Sequence, residues 1–142
     1  MIPRLRLAIA ALATLAAATG PAQAAWPEKP VKIFIGYAAG GSTDVVARVM
    51  AAKLGERLGQ PIVIENKPGG AGDLAAELMM QAPSDGYTLF MTTVAVHAIN
   101  PGLYKTRKFH PIDDFTPIAM IASYPMILIG STQTTFRTPA EL

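Results

Sequence analysis

The sequence predicts an α/β fold built on a parallel sheet, because strand-like and helix-like segments alternate along it. Three observations carry this. Residues 31–37, VKIFIGY, are rich in Val, Ile and aromatic side chains, the pattern of a strand buried on both faces. Residues 44–58 then place Val45, Val46, Val49, Met50, Leu54 and Leu58 at helical spacing on one side. The alternation repeats with a strand PIVIE at 61–65, a helix at 73–81 and a strand YTLFMTT at 87–93. The order βαβαβ implies parallel pairing through right-handed crossovers, and such sheets bind ligands at the carboxyl ends of their strands.

Each element has its own signals. AWPEKP at 25–30 holds two prolines and predicts an extended lead-in, with Trp26 packed on an edge of the lobe. Arg48, Lys53, Glu56 and Arg57 give the first helix a solvated face, and Gly59 ends it. NKPGGAG at 66–72 is a loop, after which Leu74, Leu78 and Met79 form the apolar face of the second helix. PSDG at 83–86 is a turn. VAVHA at 94–98 begins a short helix that Asn100-Pro101 should break. A polar connection with three prolines runs over 101–117, and IAMIA at 118–122 and PMILIG at 125–130 read as two further strands.

The first 24 residues have the organisation of a cleavable signal peptide: Arg4 and Arg6, an uncharged alanine-rich run at 7–20, and Ala22-Gln23-Ala24 as a small-x-small site. The run is too short and alanine-rich for a comfortable membrane span. Two of the 12 Lys and Arg residues lie in this leader, so the rest of the chain balances its 10 Asp and Glu and is formally neutral. No Lys/Arg stripe points to nucleic acid. The chain has no cysteine, hence no disulfide framework and no Cys-based zinc site, which suits an exported protein of a bacterial periplasm. RTPAEL at 137–142 reads as a helix start, with Thr138 as cap, Pro139 at the first position and Glu141 at the third. A helix announced so close to the last residue leads us to expect the N-terminal part of a longer protein.

Three loops, AAGGSTD, NKPGGAG and TTVAVHAIN, should gather at the carboxyl edge of the sheet. In the first, Gly40 and Gly41 let backbone approach a ligand, Ser42 or Thr43 is a candidate helix cap, and the first helical amides favour an anion. The same residues also suit a plain strand-to-helix turn, and both readings stand. With no Lys or Arg in that loop, an anion would be held by neutral donors, as suits a reversibly bound carboxylate. Asp44, in the first turn, would compete with an anion placed too close. The second loop offers further amides at a helix start, with Asp73 as a candidate cap and Lys67 more plausibly solvated than ligand-bound.

Other chemistries fit poorly. There is no G-x-x-x-x-G-K-[ST] and no G-x-G-x-x-G, so nucleotides and dinucleotides are not indicated, and no cofactor is expected. No H-E-x-x-H or similar ligand pair suggests a metal. Met79-Met80 is core filling, and Asp113-Asp114 a solvated turn. An exported hydrolase using Ser42 with His97 or His110 as base is the alternative, but the nucleophile elbow G-x-S-x-G is absent. His97 after the third strand is better read as a packed, hydrogen-bonded residue, and His110 as solvated. A plain exported α/β module that binds protein is a third possibility.

WPEKPVKIFIGYAAGGSTDVVAR, LGQPIVIENKPGGAG, DGYTL, HAINPGLY and DDFTPI, in this order and spacing, resemble the Bug family, the periplasmic solute receptors of tripartite tricarboxylate transporters. The resemblance covers essentially everything after the leader. It implies the first lobe of a type II-like periplasmic-binding-protein fold, truncated before most of the second lobe. The expected organisation is a signal peptide at 1–24, first-lobe residues at 25–121, and a crossing strand with the start of a second lobe at 122–142. It implies a non-catalytic receptor for a small organic carboxylate, and membrane permease subunits as partners. By motif position the ligand-contacting residues fall on Ala39, Gly40, Gly41, Ser42, Thr43 and Asp44, on Gly69, Gly70, Ala71 and Gly72, and on Thr92, Thr93 and His97. Departures are visible too. The usual second loop resembles P-G-A-G-G followed by N-I-G, whereas here Ala71 carries a methyl and Asp73 replaces an amide; RKFHP stands where P-Y-D-P is more usual.

Overall fold

The structure, a computed structural model, describes residues 26–125, 127–131, 133, 135 and 138–141, so the leader at 1–24 lies outside the described residues. Three strands, β1 (Val31–Ile35), β2 (Ile62–Asn66) and β3 (Thr88–Met91), form a parallel sheet in the order β2-β1-β3. Helix α1 (Ser42–Leu58) connects β1 to β2, and α2 (Asp73–Met80) connects β2 to β3. The predicted βαβαβ unit is therefore present.

The strand register explains how the two helices divide the sheet between them. Ile33 pairs with Ile64 and Leu89, and Ile35 with Met91, so these apolar side chains share one face. That face closes over Ala47 and Met50 of α1. The alternate residues, Phe34 and Phe90, point to the other face, where Phe90 packs with Ala76 of α2, Val96, Phe109 and Phe115. Central β1 is not buried on both faces throughout, contrary to its hydrophobic run. Lys32 is exposed and bridges to Glu65 at 3.1 Å, because no helix or strand among the described residues covers the second face on the β2 side.

The helix faces also differ from expectation. Ala47 and Ala51 are the buried residues of α1, whereas Val45 and Val49 are exposed. In α2, Ala75 and Ala76 are buried and Leu74 is largely exposed. Small side chains let each helix backbone approach the sheet closely, and the larger aliphatics flank that contact. Gly59 ends α1 as predicted, in a left-handed conformation with φ of 67°.

After β3 the chain makes a π-helical turn over Ala95–Ile99 and passes directly into the short helix α3 (Asn100–Leu103). Asn100-Pro101 does not break the helix; Pro101 lies in the first turn, where its missing N–H is not needed. Residues 118–122 and 125–130 form no strand among the described residues. Ile118, Met120, Ile127, Leu128 and Ile129 are all highly exposed, because β-propensity produces a strand only where a neighbouring edge accepts its hydrogen bonds. Near the C-terminus the predicted helix start is a single 3₁₀ turn over Pro139–Glu141, closed by the Glu141 N–H to the Thr138 carbonyl at 3.1 Å.

Candidate ligand-binding site

In the order β2-β1-β3 the connections leave β1 and β3 for opposite faces, so the switch point lies between those two strands. Tyr37, just past β1, occupies it. Its hydroxyl lies 2.6 Å from Thr93 Oγ1 in the third loop and 3.5 Å from the Ala71 carbonyl in the second. One side chain thus ties all three predicted loops to one edge. Gly36 and Gly72 bring them closer still. A Cβ on Gly36 would stand 2.6 Å from Gly72 Cα, and one on Gly72 would stand 2.7 Å from Val96 Cγ2. Only hydrogen at these two positions permits the second loop to lie against the end of β1 and the π-helical turn.

The first loop is braced from within. Asp44 is 2% exposed and accepts three kinds of hydrogen bond: from the Gly40 N–H at 2.8 Å, from Arg48 Nε at 2.9 Å and from Asn66 Nδ2 at 3.0 Å. Arg48 Nη2 also donates to Asn66 Oδ1 at 3.1 Å, and Asn66 Nδ2 to the Tyr37 carbonyl at 3.1 Å. The Arg48 hydrogen bond, then those of Gly40 and Asn66, hold the Asp44 carboxyl far below the usual carboxylate range despite its burial. Asp44 is therefore not a competitor in the loop but its clamp. Neither Ser42 nor Thr43 caps α1; Gly41 holds the cap position, and Asp44 reaches back to Gly40 from the first turn.

Two amides of this loop are thereby used, Gly40 by Asp44 and Gly41 by the Ala38 carbonyl at 3.4 Å. The first bond of α1 runs from the Val45 N–H to the Gly41 carbonyl at 3.0 Å. The amides of Ser42, Thr43 and Asp44 precede it and have no partner among the described hydrogen bonds; the exposed stretch runs from Ala38 to Ser42, while Asp44 is buried. Ala39 and Ser42 are exposed and Thr43 half-buried at the same edge.

The second loop has a different construction. Gly69, Gly70, Ala71 and Gly72 all have positive φ, at 149°, 55°, 52° and 101°. Gly72, not Asp73, holds the cap position of α2; Asp73 is its first residue. The Asp73 carboxylate instead receives Asn100 Nδ2 at 2.7 Å and a two-pronged contact from Arg107, Nε to Oδ2 at 2.8 Å and Nη2 to Oδ1 at 2.9 Å. Lys67 pairs with Glu65 at 3.0 Å, and the two lysines beside it, Lys67 first and then Lys32, lower the Glu65 carboxyl.

In the third loop, Thr93 Oγ1 meets Tyr37 and accepts the Ala95 N–H at 3.3 Å, while Thr92 Oγ1 turns to the Thr93 carbonyl. His97 behaves as the packed residue: Nδ1 engages the Pro111 carbonyl, and the ring meets Phe115 edge-on at 5.2 Å. His110 is exposed and pairs with Asp113 at 3.0 Å. Both histidines are thus engaged away from Ser42, and the hydrolase alternative finds no base for it among the described contacts. Sequence reasoning missed Tyr37, Arg48, Asn66, Asn100 and Arg107. Only Arg48, four residues beyond Asp44 on one helix, left a local signal.

The sequence pattern of the tripartite tricarboxylate transporter family receptor matches residues 46–142. The chain belongs to that family. It is 38% identical over 136 residues to a UPF0065 protein from the gbd 5' region of Cupriavidus necator, covering 93% of this chain and 41% of that one. It is 31% identical over 105 residues to BugT of Bordetella pertussis, covering 73% and 32%. Among solved structures, MatC of Rhodopseudomonas palustris with bound malate superposes with a TM-score of 0.65 at 38% identity, over 68% of this chain and 33% of that one. An R. palustris protein with adipate gives 0.59 at 40% identity, over 61% and 29%. The chain thus spans less than half the length of these relatives. The family consists of solute-binding receptors, and further structural neighbours are a periplasmic transporter and the periplasmic binding protein BugD, with TM-scores of 0.60 and 0.62.

Proposed function

We propose that this receptor-family chain forms one wall of a periplasmic site for a small organic acid, as the first-lobe part of a solute receptor. The observation that supports this best is Tyr37, which leads into the first loop and whose hydroxyl meets the second and third at the switch point of the sheet. Beside it the exposed start of α1 offers the amide and hydroxyl of Ser42 and, half-buried, those of Thr43, with no lysine or arginine in the 38–44 loop. Neutral donors of this kind hold a carboxylate by hydrogen bonds, directly or through water, and release it readily. Relatives that hold malate and adipate make a dicarboxylate the first ligand to try. Ala39 to Thr43, Gly69 to Ala71 and Thr93 are the proposed contacts; Asp44 and Gly72 are buried and support the two loops. Thr92 and His97 are supporting residues.

The loops are exposed on one side, so binding by this chain alone is weak; closure by an opposing wall would add most of the burial. Amide NMR titration with malate, adipate and citrate tests the site directly. Shifts concentrated at residues 39–44 and 69–73 are expected, saturating at millimolar ligand or above. Shifts elsewhere, or none with any of the three acids, would sink the reading. Export through the leader is part of the same proposal, and a mature N-terminus at Ala25, read by mass spectrometry of the periplasmic protein, is its expected mark. The permease subunits of a tripartite transporter are the proposed partners of the liganded form.

A further inference from the structure

We propose that Arg107 is the positioning residue of the second loop: it cancels the charge of Asp73 and so lets the 69–72 turn face an anion. The inference rests on the carboxylate reading above for its ligand, but the charge pairing itself stands on separate geometry.

Asp73 opens α2 immediately after the loop that should approach the ligand. Uncompensated, its carboxylate would repel an organic acid at the same edge. Arg107 answers it with a two-pronged contact at 2.8 and 2.9 Å, the geometry in which guanidinium and carboxylate match best. The same Nη2 donates to the Val96 carbonyl at 2.8 Å, and the guanidinium lies 4.1 Å from the centre of the Phe109 ring. Asn100 completes the set, giving Nδ2 to Asp73 at 2.7 Å and to the Ala71 carbonyl at 3.3 Å. The head of α2 is therefore tied at once to the left-handed loop, the π-helical turn and the 104–111 connection.

Packing does not by itself account for an arginine here. Its side chain is 7% exposed, and Nη1 is buried without a hydrogen-bond partner. An apolar side chain of similar length would fill the space without burying an unpaired donor. What it would not do is neutralise Asp73. Because Arg107 is buried, it supplies that neutralisation without projecting a cation into the solvent-facing loop, where it would bind the ligand itself.

The test compares Arg107→Met with the pair Asp73→Asn/Arg107→Met in the whole protein. Methionine keeps a long stem against Phe109 but carries no charge. Amide hydrogen exchange at residues 69–73 is the first measurement. Arg107→Met should speed exchange there by about tenfold or more, and the added Asp73→Asn should restore it to within about threefold of the parent. If Arg107→Met does not fold, a folded double variant is the same rescue. If the second substitution brings no rescue, or both variants fail to fold, Arg107 is packing and the proposal falls. Malate titration followed by NMR is the second measurement. Arg107→Met should weaken binding by about tenfold, less so at high salt, with recovery in the double variant. Undiminished malate binding by Arg107→Met overturns the role in ligand approach. A parent protein that binds no malate overturns the carboxylate reading, while the exchange rescue still decides whether Arg107 compensates Asp73.

Discussion

The first and second loops solve one problem in two ways. Each follows a strand, each is rich in glycine, and each precedes a helix with an aspartate in its first turn that is held by an arginine and an asparagine. In the first loop the arginine is Arg48, one helical turn away and 53% exposed along its side chain; in the second it is Arg107, 34 residues away and 7% exposed. The difference shows where each loop's shape comes from. Asp44 takes a loop amide, Gly40, and so holds its turn directly. Asp73 takes no loop amide into its carboxylate; that turn is closed by its own backbone, Gly72 N–H to the Gly69 carbonyl at 2.9 Å and Asp73 N–H to the Gly70 carbonyl, and braced by side chains arriving from elsewhere in the fold.

The sharpest way to break this comparison is to remove the arginines one at a time. Arg107→Met leaves a largely buried Asp73 without its cation and should cost about 3–5 kcal/mol, read as a fall in the urea midpoint. Arg48→Met should cost less, because Asp44, although itself buried, keeps the Gly40 N–H and Asn66 Nδ2 as donors, whereas Asp73 keeps only Asn100 Nδ2 among the described side-chain contacts. Equal losses would mean that the donors remaining to each aspartate do not separate the two braces. Next in size is Gly36→Ala. Its Cβ would meet Gly72 Cα at 2.6 Å and the Gly72 carbonyl oxygen at 2.9 Å, both backbone atoms that cannot rotate away. A destabilisation of about 1–3 kcal/mol is expected, together with altered NMR shifts in both loops.

These effects also mark how far the sequence was legible. The βαβαβ order, the parallel sheet and the gathering of three loops follow from periodicity and from glycine placement, which act over a few residues. The Asp44–Arg48 contact follows from i,i+4 spacing. By contrast, Arg107 lies in a connection with no periodic signal, and its partner is identifiable only once α2 and the π-helical turn are packed. The valines of α1 misled for a related reason: periodicity indicates an apolar stripe, but which side of that stripe touches the sheet depends on where small residues permit close approach. Residues 118–130 were apolar enough to be strands, yet strand formation is a property of a pair of segments, not of one.

Acid should loosen the first brace. Asp44 is held well below its ordinary value by Arg48, Gly40 and Asn66, so the native state binds fewer protons than the unfolded chain near and below an ordinary aspartate pKa of about 3.9. That stabilisation is complete above pH about 5 and is lost as the pH falls through the acid range toward the depressed native value. Glu65, lowered by Lys67 and Lys32, and Asp85, lowered chiefly by the Tyr87 N–H, act with the same sign. Asp44→Asn should therefore reduce the slope of stability against pH below about 4. Equal slopes for parent and Asp44→Asn would show that the clamp is not what titrates.

The smallest effect belongs to Ala71, the non-glycine residue with positive φ among those described. An alanine in this left-handed region carries about 1–2 kcal/mol of strain from its methyl. Ala71→Gly removes that strain but also frees the unfolded chain, which costs about 0.4–1 kcal/mol. The two terms oppose, and a net gain under about 1 kcal/mol is expected. The sign is informative because Ala71 is also where the loop is gripped: its carbonyl meets both Asn100 Nδ2 and the Tyr37 hydroxyl. If those contacts alone set the conformation, glycine keeps it and stability rises slightly, with amide exchange at 69–73 unchanged. If stability falls and exchange there quickens, alanine was restricting the loop to its left-handed form. The second loop would then resemble the first after all, shaped from within its own residues rather than by the side chains that reach it.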